Sequence, residues 1–257
     1  MTAEMYGPRY SARAAIRAEH YALMTRPAWI TVADATGLGA QTRLLDIGCG
    51  SGEFCRIAAD RGAEVSGLDA AEGMIALARR LVPDGDFRLG SLEQLPWGDG
   101  VFDVVTAFNS LQLAEDMVAA LAEARRVTVA GGQVAVCNWG PRKDRELLVV
   151  AEAIRALQPP GPAVVRPAFG DPGVLEDLAR QAGLTLGASG LIDVPYETPD
   201  LATLRRAMLA GGEAQPAIAY AGEAAVGQAI TEAAAPFRRA DGSYRFENVF
   251  RYLITHN

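Results

Sequence analysis

The chain has 257 residues, half of them apolar and 21% charged, which is the balance of a globular protein long enough to bury a sizeable core. A net charge of −7 argues against nucleic acid as the main partner, and no run of 18 uncharged apolar residues is present to span a membrane. Cys49, Cys55 and Cys137 fall in or beside predicted core elements at no metal-ligand spacing, so they read as reduced, packed thiols, with oxidation of Cys49 as the alternative. Lys143 is the only lysine, a bias expected of a GC-rich bacterial genome. The opening Met1-Thr2-Ala3-Glu4 lacks the basic-then-apolar layout of a signal peptide, so the expected location is the cytoplasm.

Residues 1–40 are helical in pattern, with apolar positions such as Ala15, Ile16, Tyr21 and Met24, and are expected to form an N-terminal cap. Strand-like and helix-like stretches then alternate. Strands are predicted at Arg43–Ile47, Glu64–Leu68, Asp86–Leu89, Phe102–Phe108 and Gln133–Cys137. Helices are predicted between them at Glu53–Asp60, Ala71–Leu81 and Glu115–Val127, with Gly131-Gly132 turning into the fifth strand. This alternation predicts an α/β, doubly wound parallel sheet covered on both faces. After Trp139 the pattern gives helices at Lys143–Leu157 and Pro172–Ala182, a strand near Leu184–Pro195, helices near Asp200–Ala210 and Gly222–Ala234, and a last strand at Tyr244–Thr255. Gln158-Pro159-Pro160-Gly161-Pro162 is the expected mobile linker. The chain reads as a single domain, in which a cofactor-binding core at 42–139 is followed by remaining sheet and acceptor-cap insertions at 140–257.

The stretch Leu44-Leu45-Asp46-Ile47-Gly48-Cys49-Gly50-Ser51-Gly52-Glu53 carries the chemistry. A buried strand ends in an acid, and three glycines lead into a helix, a layout in which backbone N–H groups approach a ligand with no Cβ in the way. The dinucleotide fingerprint G-x-G-x-x-G wants a glycine where Glu53 stands, with a pyrophosphate on the helix N-terminus. Glu53 and Asp46 put two carboxylates there, a poor cradle for phosphates and a reasonable one for a cation. S-adenosylmethionine carries a sulfonium and an ammonium and no phosphate. The charge pattern favours it.

This string resembles motif I of the class I S-adenosylmethionine-dependent methyltransferases, whose small single-domain members carry L-D-[IV]-G-C-G-[ST]-G. The resemblance runs in motif order from about Trp29 to Trp139 and more weakly beyond. It implies a seven-stranded Rossmann-like sheet in the order 3-2-1-4-5-7-6 with the seventh strand antiparallel. It implies S-adenosyl-L-methionine as cofactor, S-adenosyl-L-homocysteine as product, and a cofactor site of Asp46, Gly48, Cys49, Gly50, Gly52, Asp69, Ala70, Met74, Ser91, Leu92, Phe108 and Asn109. Asp69, 21 positions after Gly48, is placed to accept both ribose hydroxyls, with a helix N-cap as its plainer role. Ala70 and Met74 resemble positions flanking ribose and adenine, although Met74 serves equally as core packing. Gly90-Ser91-Leu92-Glu93-Gln94-Leu95-Pro96-Trp97 resembles G-D-A-x-x-L-P-[FW], with Ser91 in place of the aspartate that accepts from the adenine amino group. That departure weakens adenine recognition or moves it to Glu93; Leu92, acting through its backbone, survives it. Phe108 and Asn109 stand at the carboxyl end of the fourth strand, beside the topological switch between strands one and four, and are expected to face the methionine part of the cofactor and the transferred methyl. Asn109-Ser110-Leu111-Gln112 lacks the [DN]-P-P-[YFW] of the nucleic-acid amino-methylating branch.

Methyl transfer from a sulfonium needs positioning and dryness more than a catalytic constellation, and none appears at motif level. His20 is the candidate base, His256 stands near the solvated end of the sequence, and Trp139 is expected to line the acceptor pocket, helped by Tyr10, Tyr21 and Trp29. No residues stand at metal-ligand spacing. The leading expectation is therefore a methyltransferase acting on the O, N or C of a small molecule. The alternatives are a non-catalytic cofactor-binding module that partners another protein and, disfavoured by Glu53 and by the missing Tyr-x-x-x-Lys pair, a nicotinamide oxidoreductase.

Overall fold

The computed structural model describes residues 14–161 and 168–257, and of residues 14–23 only the side chain of Ile16. Helix α1 spans Ala14–Ala35 and leads into strand β1 at Arg43–Ile47. There follow α2 (Glu53–Asp60), β2 (Glu64–Asp69), α3 (Glu72–Leu81), β3 (Asp86–Leu89), β4 (Phe102–Phe108), α4 (Met117–Val127) and β5 (Thr128–Trp139). The second half holds α5 (Leu148–Arg155), α6 (Val174–Gln181), β6 (Thr185–Asp193), β7 (Tyr196–Thr198), α7 (Leu201–Leu209), α8 (Ala214–Ala221), α9 (Glu223–Ala234), β8 (Tyr244–Phe246) and β9 (Val249–His256).

Seven strands form one sheet in the order β3-β2-β1-β4-β5-β9-β6, and β7 and β8 form a separate ribbon. The first five strands run parallel, and β9 is antiparallel to both of its neighbours. With β9 as the seventh strand, this is the expected order.

The alternation of side chains divides each strand between two layers. Leu45, Ile47, Val105, Ala107, Val134 and Val136 pack under α4 and α6. Leu44 and Val104 face the opposite cluster with α2 and α3, while Ala135 and Cys137 face the cluster built by α1, α5 and α7–α9. Helix α1 serves both clusters of that second layer, through Met24, Ala28 and Val32 on one side and Trp29 and Ala33 on the other.

Four expectations change. Gly131-Gly132 lies inside the span of β5: Thr128 pairs with Phe102 and Gln133 with Val104, so residues 129–132 bulge opposite Asp103 alone. The stretch Lys143–Leu157 is a short 3-10 turn at Arg142–Asp144 followed by α5, whose N-cap residue Leu147 donates its N–H to Asn248 Oδ1 rather than to a preceding helical turn. The stretch Tyr244–Thr255 is two strands, parted at Glu247-Asn248, where the chain leaves the ribbon for the main sheet. Helix α8 was unexpected; Pro216 sits in its first turn, where its missing N–H costs no hydrogen bond. Of the linker, Gln158 donates to the carbonyl of Glu213 at 2.7 Å and Pro162 lies outside the described residues.

Candidate cofactor site

The C-terminal ends of β1, β2 and β4 stand side by side, with Asp46 opposite Gly67 on one flank and Thr106 on the other. The loop after β1 is tied to β2 by Gly48 and Cys49, whose N–H groups both donate to the carbonyl of Leu68, at 2.6 and 2.9 Å. Gly48 has φ +80°, and a Cβ there would overlap the Cβ of Ser110; that close approach lets Ser110 donate to the carbonyl of Ile47 at 2.6 Å. Gly52, at φ +90°, opens α2 and packs on the backbone of Ala78. Gly50 turns its open side to space where a Cβ would meet nothing within 4 Å.

Asp69 closes β2. Its Oδ2 accepts from Gly50 N at 2.9 Å and its Oδ1 from Ala71 N at 2.8 Å, so it spans the glycine loop and the start of α3. The N-cap position of α3 is Ala71 itself, with no side-chain cap, so Asp69 is not the N-cap residue of that helix. Ala70 is half-buried beside it, and Met74 is buried in a small cluster with Ala71 and Leu77, the packing role allowed for it. Cys49 is buried against Cys55, and that thiol contact together with desolvation raises its pKa, as suits a packed thiol rather than a reactive one.

Asp46 is 2% exposed, and Thr106 Oγ1 donates to its Oδ1 at 2.7 Å. Burial pushes its pKa up to about 7; the threonine opposes the rise, and the carboxylates of Asp69 and Glu53 add to it.

Beyond β3, Gly90 N donates to the carbonyl of Asp69 at 3.1 Å, which brings Ser91 and Leu92 to the same rim. The Ser91 hydroxyl donates to the Glu93 carboxylate. Burial works to raise the Glu93 pKa, but the bonds from Ser91 and from the backbone N–H of Glu115 outweigh it and hold the group below its usual range. Serine and glutamate are thus hydrogen-bonded to each other where the family motif has an aspartate.

At the end of β4, Phe108 packs its ring 4.6 Å from that of Phe54. Asn109 then adopts φ +49°, unusual for a residue other than glycine, and its amide Nδ2 and Oδ1 are both buried without a partner among the described residues. The rim is braced by a relay that the motifs did not disclose: Gln112 Nε2 donates to the Asn109 carbonyl at 2.7 Å, Asn138 Nδ2 to Gln112 Oε1 at 2.6 Å, and Trp139 N to Asn138 Oδ1 at 2.9 Å. Trp139 stands edge-on to Phe250, with ring centroids 4.8 Å apart. Trp29 is a buried core residue next to Ala33 and Leu38. His20 lies on α1 with its side chain outside the described residues, as does that of Tyr21; Tyr10 lies outside them entirely. His256 pairs with Gln133 and Thr185 at the other end of the sheet, away from this rim.

Comparison with known proteins gives the family. The family model described as a methyltransferase domain matches residues 45–136. A malonyl-[acyl-carrier protein] O-methyltransferase of Serratia marcescens is 41% identical over 92 residues, 36% of each chain. The ubiquinone biosynthesis O-methyltransferase of Pseudomonas paraeruginosa is 34% identical over 163 residues, which cover 61% of this chain and 68% of that one. This chain belongs to the class I S-adenosylmethionine-dependent methyltransferases.

The fold extends the likeness beyond the matched core of this chain. The YcgJ protein of Bacillus subtilis superposes with a TM-score of 0.58 at 20% identity, covering 90% of this chain and 98% of that one. The matches to the first three curated relatives span between 36% and 47% of those proteins' lengths. S-adenosylmethionine is the cofactor of the family, and the residues present fit it. Gly50 leaves its backbone open, the acids Asp46, Glu53 and Asp69 suit a cation, and the buried Asn109 amide has donor and acceptor unspent. Among the described residues no group of three or more His, Cys, Asp or Glu is gathered to hold a metal, and no helix is long and apolar enough to cross a membrane.

Proposed function

We propose that this chain transfers the methyl group of S-adenosylmethionine to an oxygen, nitrogen or carbon of a small-molecule acceptor, over the C-terminal ends of β1, β2 and β4. The unsatisfied Asn109 amide carries this reading: a buried group with neither hydrogen bond made is expected to meet a polar ligand. Asp69 would hold the ribose hydroxyls from the end of β2, where its carboxylate already joins the glycine loop to the start of α3. Gly48, Cys49, Gly50 and Gly52 would pass the cofactor along their backbone, with Ala70, Met74, Ser91 and Leu92 at the nucleoside and Phe108 and Asn109 at the methionine part. The bound cofactor supplies an activated methyl on a sulfonium. The protein then has to orient the acceptor in line and keep water out, the part proposed for the rings of Phe108 and Trp139. For an acceptor that arrives protonated, His20 on α1 is the residue offered to take the proton.

Residues 1–40 and 140–257 are read as the cap and acceptor-selecting parts around the core at 42–139. Two relatives named as O-methyltransferases favour oxygen among the three acceptor atoms. The three free, buried thiols suit the reducing cytoplasm. Isothermal titration with S-adenosylmethionine, S-adenosylhomocysteine and NAD tests the reading. Micromolar binding of the two adenosyl ligands alone is expected, weakened at least about tenfold by Asp69→Ala through loss of charge-assisted hydrogen bonds. Failure of both to bind would overturn it.

A further inference from the structure

Among the described residues, the buried side-chain polar atoms without a partner belong to Asn109, Arg145, Glu176 and Tyr196. Glu176 is half satisfied by its ion pair with Arg251. The other three all follow the C-terminal ends of strands: Asn109 after β4, Arg145 after β5 and Tyr196 after β6. That is the side on which an open α/β sheet takes its ligands. Asn109 stands at the cofactor loop. Arg145 and Tyr196 stand further along the rim, past Trp139.

The local register puts these two on one face. Arg145 forms an antiparallel bridge with Asn248, and Tyr196 pairs with Phe246. Residues opposite each other in an antiparallel pair point to the same side, and Phe246 and Phe250, two residues to either side of Asn248, lie in one cluster, so Arg145 and Tyr196 are carried on the same side of the chain. Tyr196 is 4% exposed and sits in the apolar cluster against which Phe108 and Trp139 also pack. Arg145 is half-buried, with no ion pair and no side-chain hydrogen bond among the described residues. Burial, together with Arg142 and Arg155, lowers its pKa against the pull of Asp171 and Glu152. A guanidinium nevertheless keeps its charge. Burial also raises the Tyr196 pKa, so the phenol stays protonated and able to donate. The face therefore offers a cation and a hydroxyl donor at the edge of an apolar cluster, with no carboxylate paired to either.

We infer that the acceptor is an anion, a carboxylate or ionised phenol on an apolar body, whose charged oxygen is taken by Arg145 and the Tyr196 hydroxyl. This rests on the methyl-transfer reading. An acceptor that arrives ionised brings its own nucleophilic lone pair and needs no base. Its oxygen forms the new bond to carbon as the carbon–sulfur bond breaks, the electron pair of that bond returning to the sulfonium sulfur and neutralising it.

The test is calorimetry at pH 8 with S-adenosylhomocysteine saturating, using 2-naphthoate against methyl 2-naphthoate and 4-nitrophenolate against 4-nitroanisole. At least one anion is expected to bind about tenfold or more tightly than its neutral methylated partner, and Arg145→Met and Tyr196→Phe each to erase most of that preference. Which anion prevails separates a carboxylate from a phenolate acceptor. Both variants are expected to melt at or above the wild-type temperature, because each removes a buried group that the fold leaves unsatisfied. Equal binding of anion and ester, no binding of either anion, an unchanged preference in both variants, or collapse of both folds would overturn the inference. Failure of S-adenosylhomocysteine itself to bind the wild-type protein would instead overturn the methyl-transfer reading.

Discussion

Asp46 is the residue at which a single proton matters most. Its carboxyl is buried beside Thr106 and within reach of Asp69 and Glu53, and burial raises its pKa to about 7. An acid whose folded pKa lies above its unfolded value of about 4 stabilises the fold fully below that value and loses the contribution as pH rises through 7. The ligand-free protein should therefore lose up to about 1.4 kcal/mol of stability per pH unit between pH 4 and 7 from this group. Asp46→Asn should flatten that part of the melting-temperature profile. A cationic ligand reverses the preference, so S-adenosylmethionine affinity should rise from pH 5 to pH 8 and binding at pH 6 should release a proton. Titration in buffers of differing ionisation enthalpy measures that proton. Uptake, or none, would count against a cation near Asp46.

At the scale of the element, Asn248 shows why a strand that reads as one is two. Its Oδ1 accepts from Leu147 N at 3.0 Å and its Nδ2 donates to the carbonyl of Phe246 at 3.1 Å, all within a buried site. Asn248→Ala strips partners from two buried backbone groups and is expected to cost about 2–4 kcal/mol, read as a lower urea midpoint. Nothing local announces this: Leu147 is 101 residues away, and Tyr244–Thr255 alternates well enough to pass for continuous strand. The cofactor half was legible for the opposite reason. Arg43–Ile47, Phe102–Phe108 and the glycine loop between strand and helix follow from neighbours in sequence, and β1 and β4 have the predicted bounds. Ser91 was visible as a departure, but its union with Glu93 was not, because the bond depends on how the turn after β3 closes. Arg145 and Tyr196 carry no motif; only the register of three separate segments places them on one face.

Across the whole molecule, α1 is more than a lid. It fills two of the clusters on one side of the sheet, with Met24, Ala28 and Val32 in one and Trp29 and Ala33 in the other. Removing residues 1–40 should therefore abolish cooperative unfolding rather than release a stable core, since several buried side chains go at once at roughly 2–5 kcal/mol for each large one. A sharp melting transition in the truncated chain would show that the segment is a separable cap. The proposed cofactor side is built from adjacent strand ends, while the proposed acceptor side would draw on segments far apart in the chain.

The position of β9 has a consequence in time. It lies between β5 and β6 in the sheet although it follows β6 in the chain by more than fifty residues. When β6 leaves the ribosome, its one neighbour in the sheet has not been made, and β5 still presents an open edge. Both edges stay available to other chains until residues 249–256 arrive and insert between them. A nascent chain paused within α7–α9 is thus the form of this protein most exposed to misassembly, and the form a chaperone would be called on to guard.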